Sequence, residues 1–134
     1  IRGHIPEGDG ILMGLLLIEI VASNGASLYD LVEDLLKKEG PAYYQRNDLR
    51  LIRPVAKDRM KQHLQDNAPS SIANERVIQV SSIDGVKYIL ADDSWLLIRP
   101  SGTEPVLRVY AEGRSLEMVR SMIGFGEQVA ASFT

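Results

Sequence analysis

At 134 residues the chain is long enough for one domain, or for a small domain with part of another. With 45% apolar and 25% charged residues it can build a core, and its net charge of −3 offers no long-range pull on a polyanion. It holds no cysteine, which excludes a disulfide framework and a thiolate zinc site and suits a reducing cytoplasm, and its two histidines, His4 and His63, are too far apart in sequence to suggest a metal site.

Residues 1–50 carry five Lys/Arg against eight Asp/Glu, and the remainder ten against ten, so neither part is a basic module and any anion site must be local. The run Ile11 to Ala22 is apolar except for Glu19. It falls short of the ~20 residues needed to span a bilayer and reads as a buried helix from about Gly10 to Ser23, capped by Asp9 and ended by Asn24-Gly25. Such a helix needs cover on most sides. Ser27 with Asp30 three residues on resembles a capping box, and Leu28, Leu31, Val32, Leu35 and Leu36 form one face of a second helix stopped by Gly40-Pro41. Tyr43 to Leu51 has no helical stripe and reads as an extended connector.

From Pro54 to about Asp66, Ala56, Met60 and Leu64 recur at helical spacing. The period then changes to two. Val77 to Val80 form a strand, Asp84-Gly85 a hairpin turn, Val86 to Leu90 a second strand, Trp95 to Arg99 a third and Val106 to Glu112 a fourth. Ser115 then caps a closing helix with Leu116, Val119, Ile123 and Ala130 on one side. These elements predict an α+β domain over 53–134, an antiparallel four-stranded sheet with two helices on one face, preceded by a helical part over 1–52. The chain opens on Ile1 without a basic leader and reads as an internal piece of a longer protein.

The stretch Arg99-Pro100-Ser101-Gly102-Thr103-Glu104-Pro105, between two strands, carries the chemistry. Two prolines fix the backbone and Gly102 admits a crowded conformation, so the loop is shaped. The Arg99 guanidinium, the Ser101 and Thr103 hydroxyls and the amides of Ser101 to Glu104 are donors suited to phosphate. A tight turn with Ser101 bonded to its own backbone explains the same residues equally well. Strand alternation puts Arg99 with Leu97 and Trp95 on one face, and Arg108 with Val106, Tyr110 and Glu112 on one face of the next strand. Arg108 is thus either an anion ligand or half of a cross-strand salt bridge.

Residues 99–113, RPSGTEPVLRVYAEG, resemble the phosphate-binding loop and following strand in the last domain of the α-D-phosphohexomutases, the phosphoglucomutase/phosphomannomutase family. Residues 3–22, GHIPEGDGILMGLLLIEIVA, resemble the segment after that family's sugar-recognition loop, although Gly8 stands where a basic residue is common. The resemblance implies that 1–52 is the end of a third, sugar-binding domain and 53–134 the fourth, phosphate-binding domain, similar in fold to the TATA-binding protein. It implies substrate-phosphate contacts from Arg99, Ser101, Gly102 and Thr103, with Arg108 a further candidate and His4 at the edge of the sugar site. The phosphoserine loop and the aspartate-rich magnesium loop belong to earlier domains, so no catalytic residue and no metal ligand is expected here. Magnesium and a glucose 1,6-bisphosphate activator would act in the parent enzyme, with none bound by this piece. Its expected partners are a hexose phosphate and the N-terminal domains of the same chain, with no nucleic acid and no membrane. Isolated, the two leading helices are expected to associate with another copy or to lie loosely ordered. A non-catalytic phosphate- or nucleotide-binding module is the alternative reading of the same loop, and a nucleic-acid-binding domain of TATA-binding shape a second that the balanced charge disfavours.

Overall fold

The computed structural model describes residues 3, 8–52, 56–102 and 104–133, in two compact units, Ile1–Gly40 and Pro41–Thr134. The first unit is helical. In α1, Gly10–Asn24, the Asp9 carboxylate accepts from the Leu12 amide at 2.9 Å, and the Gly25 amide donates to the Val21 carbonyl. In α2, Leu28–Glu39, Ser27 and Asp30 form the reciprocal capping box. Neither helix buries a residue, and Ile11, Leu15 and Ile18 of α1 stand largely exposed, where the sequence predicts a buried helix. Among the described residues no single helix is long and apolar enough to cross a membrane.

The second unit holds β1 (Tyr43–Arg50), α3 (Lys57–Asp66), β2 (Ser71–Ile72), β3 (Glu75–Ser81), β4 (Val86–Leu90), β5 (Trp95–Pro100), β6 (Val106–Gly113) and α4 (Leu116–Ser132). The expected α+β class holds, but the sheet has six strands instead of four, all antiparallel, in the order β1-β6-β5-β4-β3-β2. One added strand is the short β2. The other is the segment expected to be a connector, since Tyr43 to Arg50 pairs residue for residue with Gly113 to Val106. The compact units therefore divide at Gly40 and Pro41, ahead of the expected 52/53 boundary. Hydrophobic alternation is weak in β1 because it is an edge strand. Its helix-facing Asn47 bonds Glu127 of α4 at 2.8 Å in place of apolar packing. The third helix begins at Lys57, with Ala56 as N-cap, and the expected start at Pro54 lies outside the described residues.

One face of the sheet makes the core. Val86, Tyr88 and Leu90 of β4, Leu96 and Ile98 of β5, and Leu107, Val109 and Ala111 of β6 are fully buried, and they meet Met60 and Leu64 of α3 and Val119, Met122 and Ile123 of α4. Tyr88 ties both helices to the sheet: its hydroxyl donates to the Leu64 carbonyl at 2.8 Å and its ring meets Phe125 edge-on. The approach of α4 requires a glycine, because a Cβ on Gly126 would fall 2.5 Å from Val109 Cγ1. The opposite face carries Arg46, Tyr110, Leu97 and Lys87 in one cross-strand row, and Tyr44, Glu112 and Trp95 in the next. Trp95 is tied into that face, donating to Glu112 at 3.2 Å beneath the Lys87 ammonium.

Candidate functional site

The loop between β5 and β6 is held by its own backbone. The Ser101 amide donates to the Val106 carbonyl, the Val106 amide to the Glu104 carbonyl and the Leu51 amide to the Pro105 carbonyl, each at 2.8 Å. The loop is thus shaped, as its prolines predict, but the expected run of free amides is shortened: that of Ser101 is already taken. Thr103 and His4 lie outside the described residues.

Beside this loop is a cleft of about 170 Å³. Arg99, Pro100, Ser101 and Gly102 line it from the loop, Arg108 from β6, and Ile83, Asp84 and Gly85 from the β3–β4 turn. Lys57, Asp58 and Lys61 line it from α3. Four cationic side chains against two carboxylates give it a formal charge of +2 in a chain whose net charge is −3. The cleft is the local basic concavity that the overall charge conceals.

Two strands bring Arg99 and Arg108 directly opposite one another. Like charges so placed repel, and each would ordinarily find a carboxylate. Arg99 does, through Nε to Asp84 Oδ1 at 3.1 Å, with both side chains substantially exposed. Arg108 does not. Asp48 stands across from it on β1, yet that carboxylate is held by Arg46 through two bonds of 2.7 and 2.6 Å. Those bonds, more than charge, lower the Asp48 carboxyl below the usual carboxylate range. Arg108 Nε is left buried with no hydrogen-bond partner among the described residues. A buried donor without an acceptor is unfavourable until an acceptor arrives.

Gly85 sets the turn that closes the cleft. Its φ is +82°, and a Cβ there would meet the Ile98 carbonyl oxygen at 2.5 Å, so only glycine lets this turn lie against β5 and deliver Asp84 to Arg99. The arrangement can hold an anion through guanidinium, ammonium and hydroxyl donors. No group of three His, Cys, Asp or Glu able to hold a metal occurs among the described residues.

Of the residues singled out by sequence, Arg99, Ser101, Gly102 and Arg108 come together here. Reading the sequence missed Lys57, Lys61 and Asp58, and took Asp84 only as a turn residue. The four-residue spacing of Lys57 and Lys61 was a signal, but α3 precedes the loop by some forty residues and only the fold places it beside Gly102.

The family model for the phosphoglucomutase/phosphomannomutase C-terminal domain matches residues 56–123. A phosphoglucosamine mutase of Methanococcus aeolicus is 36% identical over 118 residues, covering 88% of this chain and 24% of its own length. The phosphoglucomutase/phosphomannomutase of Thermococcus kodakarensis is 31% identical over 118 residues, 88% of this chain and 23% of that protein. A probable phosphoglucosamine mutase of Methanosphaera stadtmanae is 29% identical over 116 residues, 85% and 24%. The chain spans about a quarter of the length of these curated relatives. The matched segment runs from the start of α3 into α4 and contains every residue that lines the cleft, and on that match the chain belongs to the phosphoglucomutase/phosphomannomutase C-terminal domain family.

Proposed function

We propose that this chain is the substrate-phosphate-binding part of a phosphohexomutase, which interconverts hexose 1-phosphate and 6-phosphate through a bisphosphate. The observation that carries this reading is Arg108, which lines a cleft of formal charge +2 beside the RPSGT loop and whose Nε is buried with no partner among the described residues. In such a reaction one phosphate reacts while the other is gripped at a distance. Arg99, Arg108 and the Ser101 hydroxyl supply that grip, and Thr103 joins them by its place in the loop. Binding the remote dianion aligns the reacting end, so its contribution falls on turnover as well as on affinity.

The nucleophilic serine and the magnesium loop belong to other parts of the parent enzyme, and the chain by itself is inactive. Magnesium and the bisphosphate activator act there and not on the residues described. His4 is assigned to the edge of the sugar site by sequence resemblance alone. Relatives named for glucosamine and for glucose and mannose phosphates both match, so the reading commits to hexose phosphates as a class. The absence of cysteine accords with a cytoplasmic setting.

Steady-state kinetics of Arg99→Ala in the intact mutase test this reading. It expects kcat to fall and KM to rise together, and unchanged values of both would refute it.

A further inference from the structure

Resting on the reading that the cleft receives a phosphoryl group, we propose that Lys57 and Lys61 are direct ligands of that group, forming a wall of the cradle supplied by α3 and separate from the loop. Three observations point there. The two lysines are four residues apart on one helix, so they share a face, and both line the cleft. Neither has a hydrogen bond or ion pair among the described residues, although two carboxylates line the same cleft; Asp84 is taken by Arg99, and Asp58 engages neither lysine.

The third observation fixes where Lys57 acts. A Cβ built on Gly102 would fall 2.9 Å from Lys57 Nζ, so the ammonium rests against the loop at the one position where a side chain is absent. The absence of a side chain at 102 is what lets the ammonium lie this close to the loop. The lysines complement the arginines chemically. A guanidinium fork fixes the orientation of a phosphate, whereas an ammonium is a compact charge with rotatable donors that accepts several orientations. A mutase needs both, because the cradle must hold the 1-phosphate of one sugar pose and the 6-phosphate of the other.

The test is a titration of inorganic phosphate into the 134-residue chain at pH 8, followed by the Gly102 amide shift and by the ¹³Cε shifts of the lysines. The Cε signals of Lys57 and Lys61 are expected to move with the same Kd as the Gly102 amide. Lys57→Met and Lys61→Met should each weaken binding about threefold to tenfold, the range expected of partly exposed charge-assisted bonds. Arg120→Met, which removes the same charge from α4 outside the cleft, should leave Kd within about twofold if contact and not net charge is responsible. Loss of binding in Arg99→Ala with unchanged Kd in both lysine variants would overturn the inference and leave the phosphate reading standing. Absence of any saturable shift in the unsubstituted chain would overturn both. Should a lysine variant fail to fold, the Cε signals of the unsubstituted chain still decide, since unmoved signals at saturation exclude direct contact.

Discussion

Arg99 and Arg108 face each other across the β5–β6 pair, and among the described residues Arg99 forms an ion pair with Asp84 while Arg108 meets Asp48 through charge alone. On the proposed reading, the pairing gives up fold stability for an anion site. Arg108→Met is expected to leave the fold as stable or to raise stability by about 0.2–1 kcal/mol through relief of the cross-strand repulsion. The same change should weaken phosphate binding. Urea unfolding with and without phosphate checks both: the substituted chain should begin at or above the parent and gain less from the ligand. A destabilised variant that still gains fully from phosphate would show Arg108 to be structural.

On the proposed reading, Asp84 competes with the phosphate for Arg99. Because this pair is exposed it is weak, and Asp84→Asn should tighten phosphate binding by about twofold to fivefold. Calorimetric titration reads the change. Weaker binding in Asp84→Asn would mean that the carboxylate positions Arg99 for the anion instead of opposing it.

Burial pushes the Tyr88 hydroxyl up to about 12, and the ordinary tyrosine value is near 10. Between about pH 10 and 12 the unfolded chain releases a proton that the folded chain keeps, so stability falls as pH rises through that window and Tyr88 adds no slope below it. Tyr88→Phe loses the bond to Leu64 and should begin about 1 kcal/mol lower near neutrality, yet decline less steeply at high pH. Denaturation midpoints of both chains at pH 9 and pH 11 give the comparison. Parallel slopes would place the hydroxyl in contact with water.

The α1 surface calls for a partner. Ile11, Leu15 and Ile18 form a stripe at helical spacing and are 80%, 60% and 66% exposed. An apolar stripe of this kind drives association, and the isolated chain is expected to pair with a second copy through it. Sedimentation velocity should show a concentration-dependent dimer that Leu15→Glu with Ile18→Glu converts to monomer. A chain that stays monomeric at every concentration with the stripe intact would contradict this.

Much of this architecture could be read from the residues, and the misses have physical causes. The caps at Asp9 and Ser27 are local hydrogen-bond chemistry, and both stand as the sequence predicts. The alternation in β5 and β6 set Trp95, Leu97 and Arg99, and Val106, Arg108, Tyr110 and Glu112, each on one face, and Leu96, Ile98, Leu107, Val109 and Ala111 between them are the buried ones, because both strands are covered on one side by helices. β1 escaped notice because an edge strand can place Asn47 against a polar partner on α4 and needs no apolar period. The loop announced itself through proline, glycine and arginine. Its second wall did not, since the meeting of Lys57 with Gly102 depends on tertiary packing that no local pattern encodes.

A crystal structure of the chain with a bound hexose 6-phosphate addresses the central claim most directly. The account predicts phosphoryl oxygens roughly 2.7–2.9 Å from guanidinium nitrogens of both Arg99 and Arg108, with Arg99 released from Asp84. A phosphate bound elsewhere, with the Arg99–Asp84 pair intact and Arg108 Nε still without an acceptor, would contradict it.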